Sequence, residues 1–169
     1  MIIRKETNQD FDQIYNLVKT AFLTAEVSAG TEQDLVNEIR ESDQYIPELS
    51  LVYEENGKVI GHIMLSKAYI HDGENKSEAL YVAPLSVFQE QRKKGIGSAL
   101  MRESFRIAEQ LGYTSVFLVG NPDYYFRFGF KCITEFGIKY RQEIPPQFVM
   151  ACELVPNALK NIQGTIDRF

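Results

Sequence analysis

An α+β fold is predicted for this 169-residue chain: a mixed, mostly antiparallel sheet of about six or seven strands between helices, an α/β/α sandwich. Three observations lead there. Asn56-Gly57 and the turn His71-Asp72-Gly73-Glu74 join consecutive strand-like runs and predict antiparallel pairing. The stretch from Glu78 to Val119 reads strand, basic glycine loop, long amphipathic helix, strand, and a right-handed crossover makes those two strands parallel neighbours. Helical periodicity near the N-terminus supplies a second covering layer.

Taken in order, Ile2 to Lys5 is a short strand candidate. Thr7 offers an N-cap with Asp10 three residues on, and Phe11, Ile14, Tyr15, Val18, Ala21 and Phe22 follow at helical spacing. A polar link from Thr24 to Gly30 precedes a helix that starts at Thr31, with Leu35, Val36 and Ile39 as its apolar side. Leu49 to Glu55 and Lys58 to Tyr69 are strands, and a third ends at Val87. Pro84 cannot donate to a ladder, so a bulge or an edge is expected there. Ile96, Ala99, Leu100, Ile107, Ala108 and Leu111 form the apolar stripe of the long helix, and Gly112 sits where a left-handed cap belongs. Thr114 to Val119 reads as a buried strand and Tyr124 to Phe128 as a short helical turn closed by Gly129. Strand continues from Phe130 to Ile133 and again from Phe148 to Leu154, and the tail after Pro156 is weakly patterned.

Without repeats or a linker rich in Gly, Ser or Pro, residues 1–169 are expected to form a single domain. Hydrophobic residues make up 44% and charged ones 24%, an ordinary balance for a packed core. The formal net charge of −5 disfavours nucleic acid and anionic membranes as partners. No window approaches the roughly 18 apolar residues of a membrane span. The start shows no apolar run behind its charges, so a cytoplasmic protein is expected. Cys132 and Cys152 make no disulfide framework, and His62 and His71 are too few for a metal site.

The basic loop Arg92-Lys93-Lys94-Gly95-Ile96-Gly97-Ser98 stands out against this acidic background. Its glycines let successive N–H groups turn toward one point, and the helix N-terminus adds partial positive charge, which suits a phosphate or diphosphate. Three cations are badly placed at a helix N-terminus unless an anion joins them. A solvated basic turn is the alternative reading. Neither a Walker loop nor G-x-G-x-x-G is present, because Ala99, Leu100, Met101 and Arg102 follow Ser98.

Arg92-Lys93-Lys94-Gly95-Ile96-Gly97 resembles the acyl-CoA signature Q/R-x-x-G-x-G/A of the GCN5-related N-acetyltransferase (GNAT) family. APLSV from Ala83, GIGSALM from Gly95 and YYFRFGF from Tyr124 are similar to its bacterial YhbS-type branch. The resemblance implies a central pair of parallel strands that splay apart and take the pantetheine arm of CoA between them. Leu85, Ser86 and Val87 would then make main-chain contacts, and the amides from Lys93 to Ser98 would hold the diphosphate. It implies acetyl-CoA as co-substrate, a small-molecule or peptide amine as acceptor, direct attack in a ternary complex, and a homodimer as the association common among such proteins. A catalytically silent acyl-CoA sensor is the alternative.

The family's motif places a tyrosine four residues before Gly-Phe, which assigns the general acid to Tyr125, with Tyr124 as the neighbour that could exchange roles or touch the cofactor. Core packing of both rings is the competing reading. The family's asparagine position is occupied by Leu118, and Asn121 is carried as a weaker cofactor contact. The strand position where some members hold a glutamate base is Tyr81. Glu78, His62 and Glu26 are the remaining base candidates, and alternation with Ile60 and Met64 makes His62 a surface or half-buried structural residue. Ser86, Ser98 and both cysteines lack an activating neighbour, so no nucleophile is expected.

Overall fold

Alternating hairpin signals and one long crossover produce the sheet expected of them. The computed structural model describes residues 1–25 and 27–167. The chain runs β1 (Ile2–Lys5), α1 (Phe11–Ala21), α2 (Glu32–Arg40), β2 (Ser50–Glu55), β3 (Lys58–Asp72) and β4 (Asn75–Val87). It continues α3 (Ile96–Gln110), β5 (Ser115–Val119), α4 (Pro122–Tyr125), β6 (Lys131–Cys132), β7 (Ile138–Tyr140), β8 (Val149–Glu153) and β9 (Gly164–Asp167). Among the described residues nine strands share one sheet in the order β1-β2-β3-β4-β5-β8-β6, while β9 pairs with β3 and β7.

Asn56 and Gly57 both take positive φ, 51° and 75°, as a two-residue turn of the β2–β3 hairpin demands. Opposite Pro84 the register slips: Ile63 faces Leu85 but Leu65 faces Val82, so β4 holds one extra residue. That is the expected bulge. Beyond it, β4 and β5 pair in parallel over two positions only, Leu80 with Val116 and Tyr81 with Phe117. From Val82 to Val87 the β4 edge on that side continues without β5.

Helices cover both faces. Ile14, Leu17, Val18, Val36 and Ile39 from α1 and α2 pack on Val52, Met64, Ala68, Tyr81 and Phe117. Ile96, Leu100, Met101 and Ala108 of α3 pack on the other face with Ile63, Leu65, Leu80 and Val116. Burial of each Val, Leu, Ile, Met or Phe side chain among them contributes about 1.5–3 kcal/mol. Leu111 departs from its expected place in the stripe and is 46% exposed, because α3 ends at Gln110 and the chain turns away through Gly112 at φ +88°. The Tyr113 N–H then closes on the Ala108 carbonyl at 3.0 Å, a Schellman bond.

Two strands are present where none was expected. Ile138–Tyr140 and Gly164–Asp167 are short and pair in parallel with each other, and β9 also lies antiparallel to Tyr69–His71 of β3. The strand expected from Phe130 to Ile133 shrinks to Lys131–Cys132, since Ile133–Glu135 forms a 3-10 turn.

An ionic cluster ties α2 to the sheet. Glu6, just after β1, accepts hydrogen bonds from Arg40 Nε at 2.8 Å, Arg40 Nη2 at 2.7 Å and the Tyr45 hydroxyl at 2.8 Å. His62 Nε2 lies 3.4 Å from Glu6 and 3.2 Å from Ser50 Oγ. His62 is therefore fully buried rather than at or near the surface: β3 is covered on both faces, so alternation no longer selects a wet side. Burial pushes its pKa down and Glu6 offsets this only in part. Burial alone would push the Glu6 carboxyl up, but Arg40 and His62 outweigh it and hold it well below the usual carboxylate range.

Candidate active site

The gap between β4 and β5 opens into a cleft of about 760 Å³ that continues onto the N-terminus of α3. Its lining includes Ala21, Phe22, Thr24 and Leu35, then Tyr140, Gln142 and Ile144, and the glycine loop. Leu85, Ser86, Val87, Arg92, Lys93, Gly95, Ile96, Gly97, Ser98, Asn121, Tyr124 and Tyr125 all line it. Lys94 does not, as its ammonium donates to Gln91 Oε1 at 2.9 Å.

The loop is built as an anion cradle. Lys93 and Gly95 adopt positive φ, 64° and 82°, and turn the following amides inward. The first intrahelical bond of α3 runs from the Ala99 N–H to the Gly95 carbonyl at 2.9 Å, leaving the amides of Ile96, Gly97 and Ser98 ahead of the ladder. Gly95, the N-cap, provides no side chain to bond them. Oxygens of a diphosphate match this set, with the helix dipole aligned to favour them.

Arg92 behaves differently from the loop-cation reading. Its guanidinium turns back to the end of α1, donating to the Ala21 carbonyl at 2.8 Å and Thr24 Oγ1 at 2.9 Å, with Nε 3.3 Å from the Val87 carbonyl. The last carbonyls of a helix have no intrahelical donor and carry partial negative charge, so they compete for a cation. Arg92 thus links the glycine loop to the end of α1.

Both tyrosines of the short turn after β5 face the cleft, and two glycines make room for them. A Cβ at Gly97 would overlap the Tyr124 hydroxyl, and one at Gly120 would come within 2.5 Å of the Tyr125 ring. The rings meet edge to face, with centroids 4.9 Å apart, and Tyr125 also packs on Phe130. Burial pushes the Tyr124 phenol up while Arg127, Ser98 and Arg102 pull it back. Burial, with Tyr124 beside it, raises Tyr125 well above the ordinary phenol value. Each therefore stays protonated at neutral pH. The Tyr125 hydroxyl has no hydrogen-bond partner among the described residues, so its proton is available to a bound molecule. Core packing and cleft exposure are combined in this residue, not alternatives.

Asn121 spends its side-chain oxygen on the Asp123 N–H at 2.9 Å, capping α4. Leu118, where the family's asparagine would stand, is buried and lines the cleft. Tyr81 sits in the cleft with its hydroxyl 3.0 Å from that of Tyr140. Glu78 is exposed, pairs across from Tyr69 and is outside the cleft, whereas His62 belongs to the ionic cluster. Glu26 lies outside the described residues. Cys152 is pushed up to about 11 by burial, which leaves no thiolate for nucleophilic attack at neutral pH. Sequence reasoning missed Glu32, which lines the cleft from α2. Only its helical spacing from Leu35 placed it near the wall. No group of His, Cys, Asp and Glu that could hold a metal occurs among the described residues. Nor is any described helix long and apolar enough to cross a membrane.

Comparison with known proteins agrees with this geometry. Residues 2–133 match the model of the acetyltransferase (GNAT) domain. The chain is 34% identical over 118 residues to the uncharacterized N-acetyltransferase YjhQ of Escherichia coli strain K12, covering 69% of this chain and 65% of that protein. It is 26% identical over 167 residues to YhbS of the same strain, covering 99% and 95%. The crystal structure of E. coli YhbS in complex with CoA superposes with a TM-score of 0.87 at 25% identity, covering 99% of this chain and 89% of that one. A Brucella melitensis GNAT acetyltransferase in complex with acetyl-CoA superposes with a TM-score of 0.80 at 29% identity, covering 99% and 95%. With the acetyltransferase domain model matched over most of its length, the chain belongs to the GNAT family.

Proposed function

We propose that this chain transfers an acetyl group from acetyl-CoA to a primary amine, of a small molecule or a peptide, by direct attack within a ternary complex. The observation that carries the reading is the continuity of one cleft: two parallel rungs, then an open β4 edge, then free amides at the start of α3. The edge from Val82 to Val87 fits the amides of a pantetheine arm, because exposed ladder groups need partners. The amides of Ile96, Gly97 and Ser98 fit the diphosphate. Acetyl-CoA, when bound, supplies the acetyl group as a thioester.

The residues of the chain then hold, polarise and protonate. A main-chain N–H of the open β4 edge polarises the thioester carbonyl, a donor fixed before charge develops. The acceptor nitrogen, neutral after losing a proton to water, attacks the acetyl carbon, and the C–S bond breaks. Tyr125 gives its proton to the departing sulfur, and the proton shed by the new amide nitrogen returns through water to the Tyr125 phenolate. Gly97 and Gly120 set the distance of both rings from the cradle.

Two measurements test the reading. CoA should raise the melting temperature by mass action while ATP at equal concentration does so far less. A CoA-release screen against amino acids, polyamines, aminoglycosides and peptides should then find turnover. Tyr125→Phe should reduce that turnover by about 10²-fold or more with CoA affinity nearly unchanged. Undiminished activity removes Tyr125 from its role. CoA binding with no turnover for any amine points to a sensor instead.

A further inference from the structure

The cleft carries both signs of charge. Its basic lining residues, Arg92, Lys93 and Arg127, lie on the cradle loop and on the turn after α4. Among the described lining residues Glu32 is the only acid, and it stands in the first turn of α2. The dipole of α2 favours negative charge there.

The two oxygens of Glu32 differ. Oε1 accepts from the Ser28 hydroxyl and from the Ala29 N–H, both at 2.8 Å. Oε2 is buried and has no hydrogen-bond partner among the described residues. The first set of bonds fixes the carboxylate, and the second oxygen is left for something else. Phe22, Val27 and Leu35 line the same wall. A shielded carboxylate oxygen without a donor costs free energy until one arrives. A protonated amine brings both the N–H groups and the opposite charge.

We propose that Glu32 is the acceptor-recognition carboxylate, whose free Oε2 takes a charge-assisted hydrogen bond from the acceptor's ammonium, so that the cleft selects cationic amines with an apolar body. This rests on the acyl-transfer reading and adds the substrate class to it. Glu32 acts here in binding and specificity. The rival role is structural, a brace for the loop at Ser28 and Ala29.

The test uses protein saturated with CoA and two probes of nearly equal shape, 2-phenylethylammonium and neutral 2-phenylethanol, titrated by calorimetry at neutral pH. The wild type should bind the ammonium about tenfold or more tightly than the alcohol. Glu32→Gln keeps an oxygen for Ser28 and Ala29 but loses the charge. It should abolish the preference and leave alcohol binding within about twofold. A purely structural role would weaken both probes together. Should Glu32→Gln not fold, Glu32→Asp takes its place, where a reduced preference supports the proposal and a full one overturns it. No ammonium binding, equal wild-type affinities, or a preference surviving in Glu32→Gln each overturn the assignment. Failure to bind CoA in the first step overturns the acyl-transfer reading with it, whereas CoA binding without ammonium preference overturns Glu32 alone.

Discussion

Replacing Glu6 by Gln should unfold the protein at a distinctly lower temperature. The side chains of Glu6 and Arg40 are only 1% and 7% exposed, and the carboxylate receives two bonds from the guanidinium and one from Tyr45. Glutamine keeps one acceptor oxygen but turns an NH2 group toward donors and leaves the guanidinium without its anion. Breaking one side of a buried pair costs about 3–5 kcal/mol. Against a total stability of roughly 5–15 kcal/mol this is a large share. At about 2–4 °C per kcal/mol for a chain of this length, the melting temperature should fall by roughly 6–20 °C. Circular dichroism melts and urea midpoints at neutral pH measure it. Glu6→Leu combined with Arg40→Met should recover part of the loss, because no guanidinium is then buried without its anion, although the Tyr45 hydroxyl still loses its acceptor. A single-variant loss below about 1 kcal/mol, the scale of a surface pair, refutes the reasoning, as does a double variant no better than the single.

Acid should weaken the fold in two stages. The folded pKa of His62 lies below its ordinary 6.5, so the unfolded chain takes up that proton first and stability falls as pH drops below about 6.5. Glu6, held below its ordinary 4.5, keeps its contribution above about that pH and loses it on further acidification. A melting temperature flat from about pH 8 to pH 5 would contradict the buried neutral imidazole. Gly97→Ala should weaken CoA binding by about tenfold, since the new methyl overlaps the Tyr124 hydroxyl at the mouth of the amide cradle. Alanine favours a helix over glycine by about 1 kcal/mol, so affinity should fall without a comparable loss in melting temperature. An unchanged Kd removes Gly97 from the cradle.

The central hairpins, the crossover and the cradle were legible because their signals are local. Asn56-Gly57 dictates a turn from two residues, and the apolar period of α3 together with Gly95 and Gly112 marks both its ends. β7 and β9 were not legible. Three- and four-residue strands show too little alternation, and their pairing joins positions far apart in sequence. Among site residues, the family motif led to Tyr125 and the loop from Gly95 to Ser98, and all of these line the cleft. The backward turn of Arg92 was not legible, because it depends on where α1 ends in space. Burial of His62 likewise depends on α2 covering that face of β3. Glu32 looked like any acid in a first helical turn until the orientation of α2 aimed it at the cleft.

Short β9 has a reach beyond its size. Among the described residues β7 finds its only sheet neighbour there, and β7 carries Tyr140, the ring that meets Tyr81 on the cleft floor. A proteolytic clip ahead of Gly164 would therefore unmoor β7 and Tyr140 while the glycine loop, more than fifty residues upstream, kept its own supports. On the acyl-transfer reading proposed above, damage to β9 would then blur the choice of acceptor before CoA binding weakened.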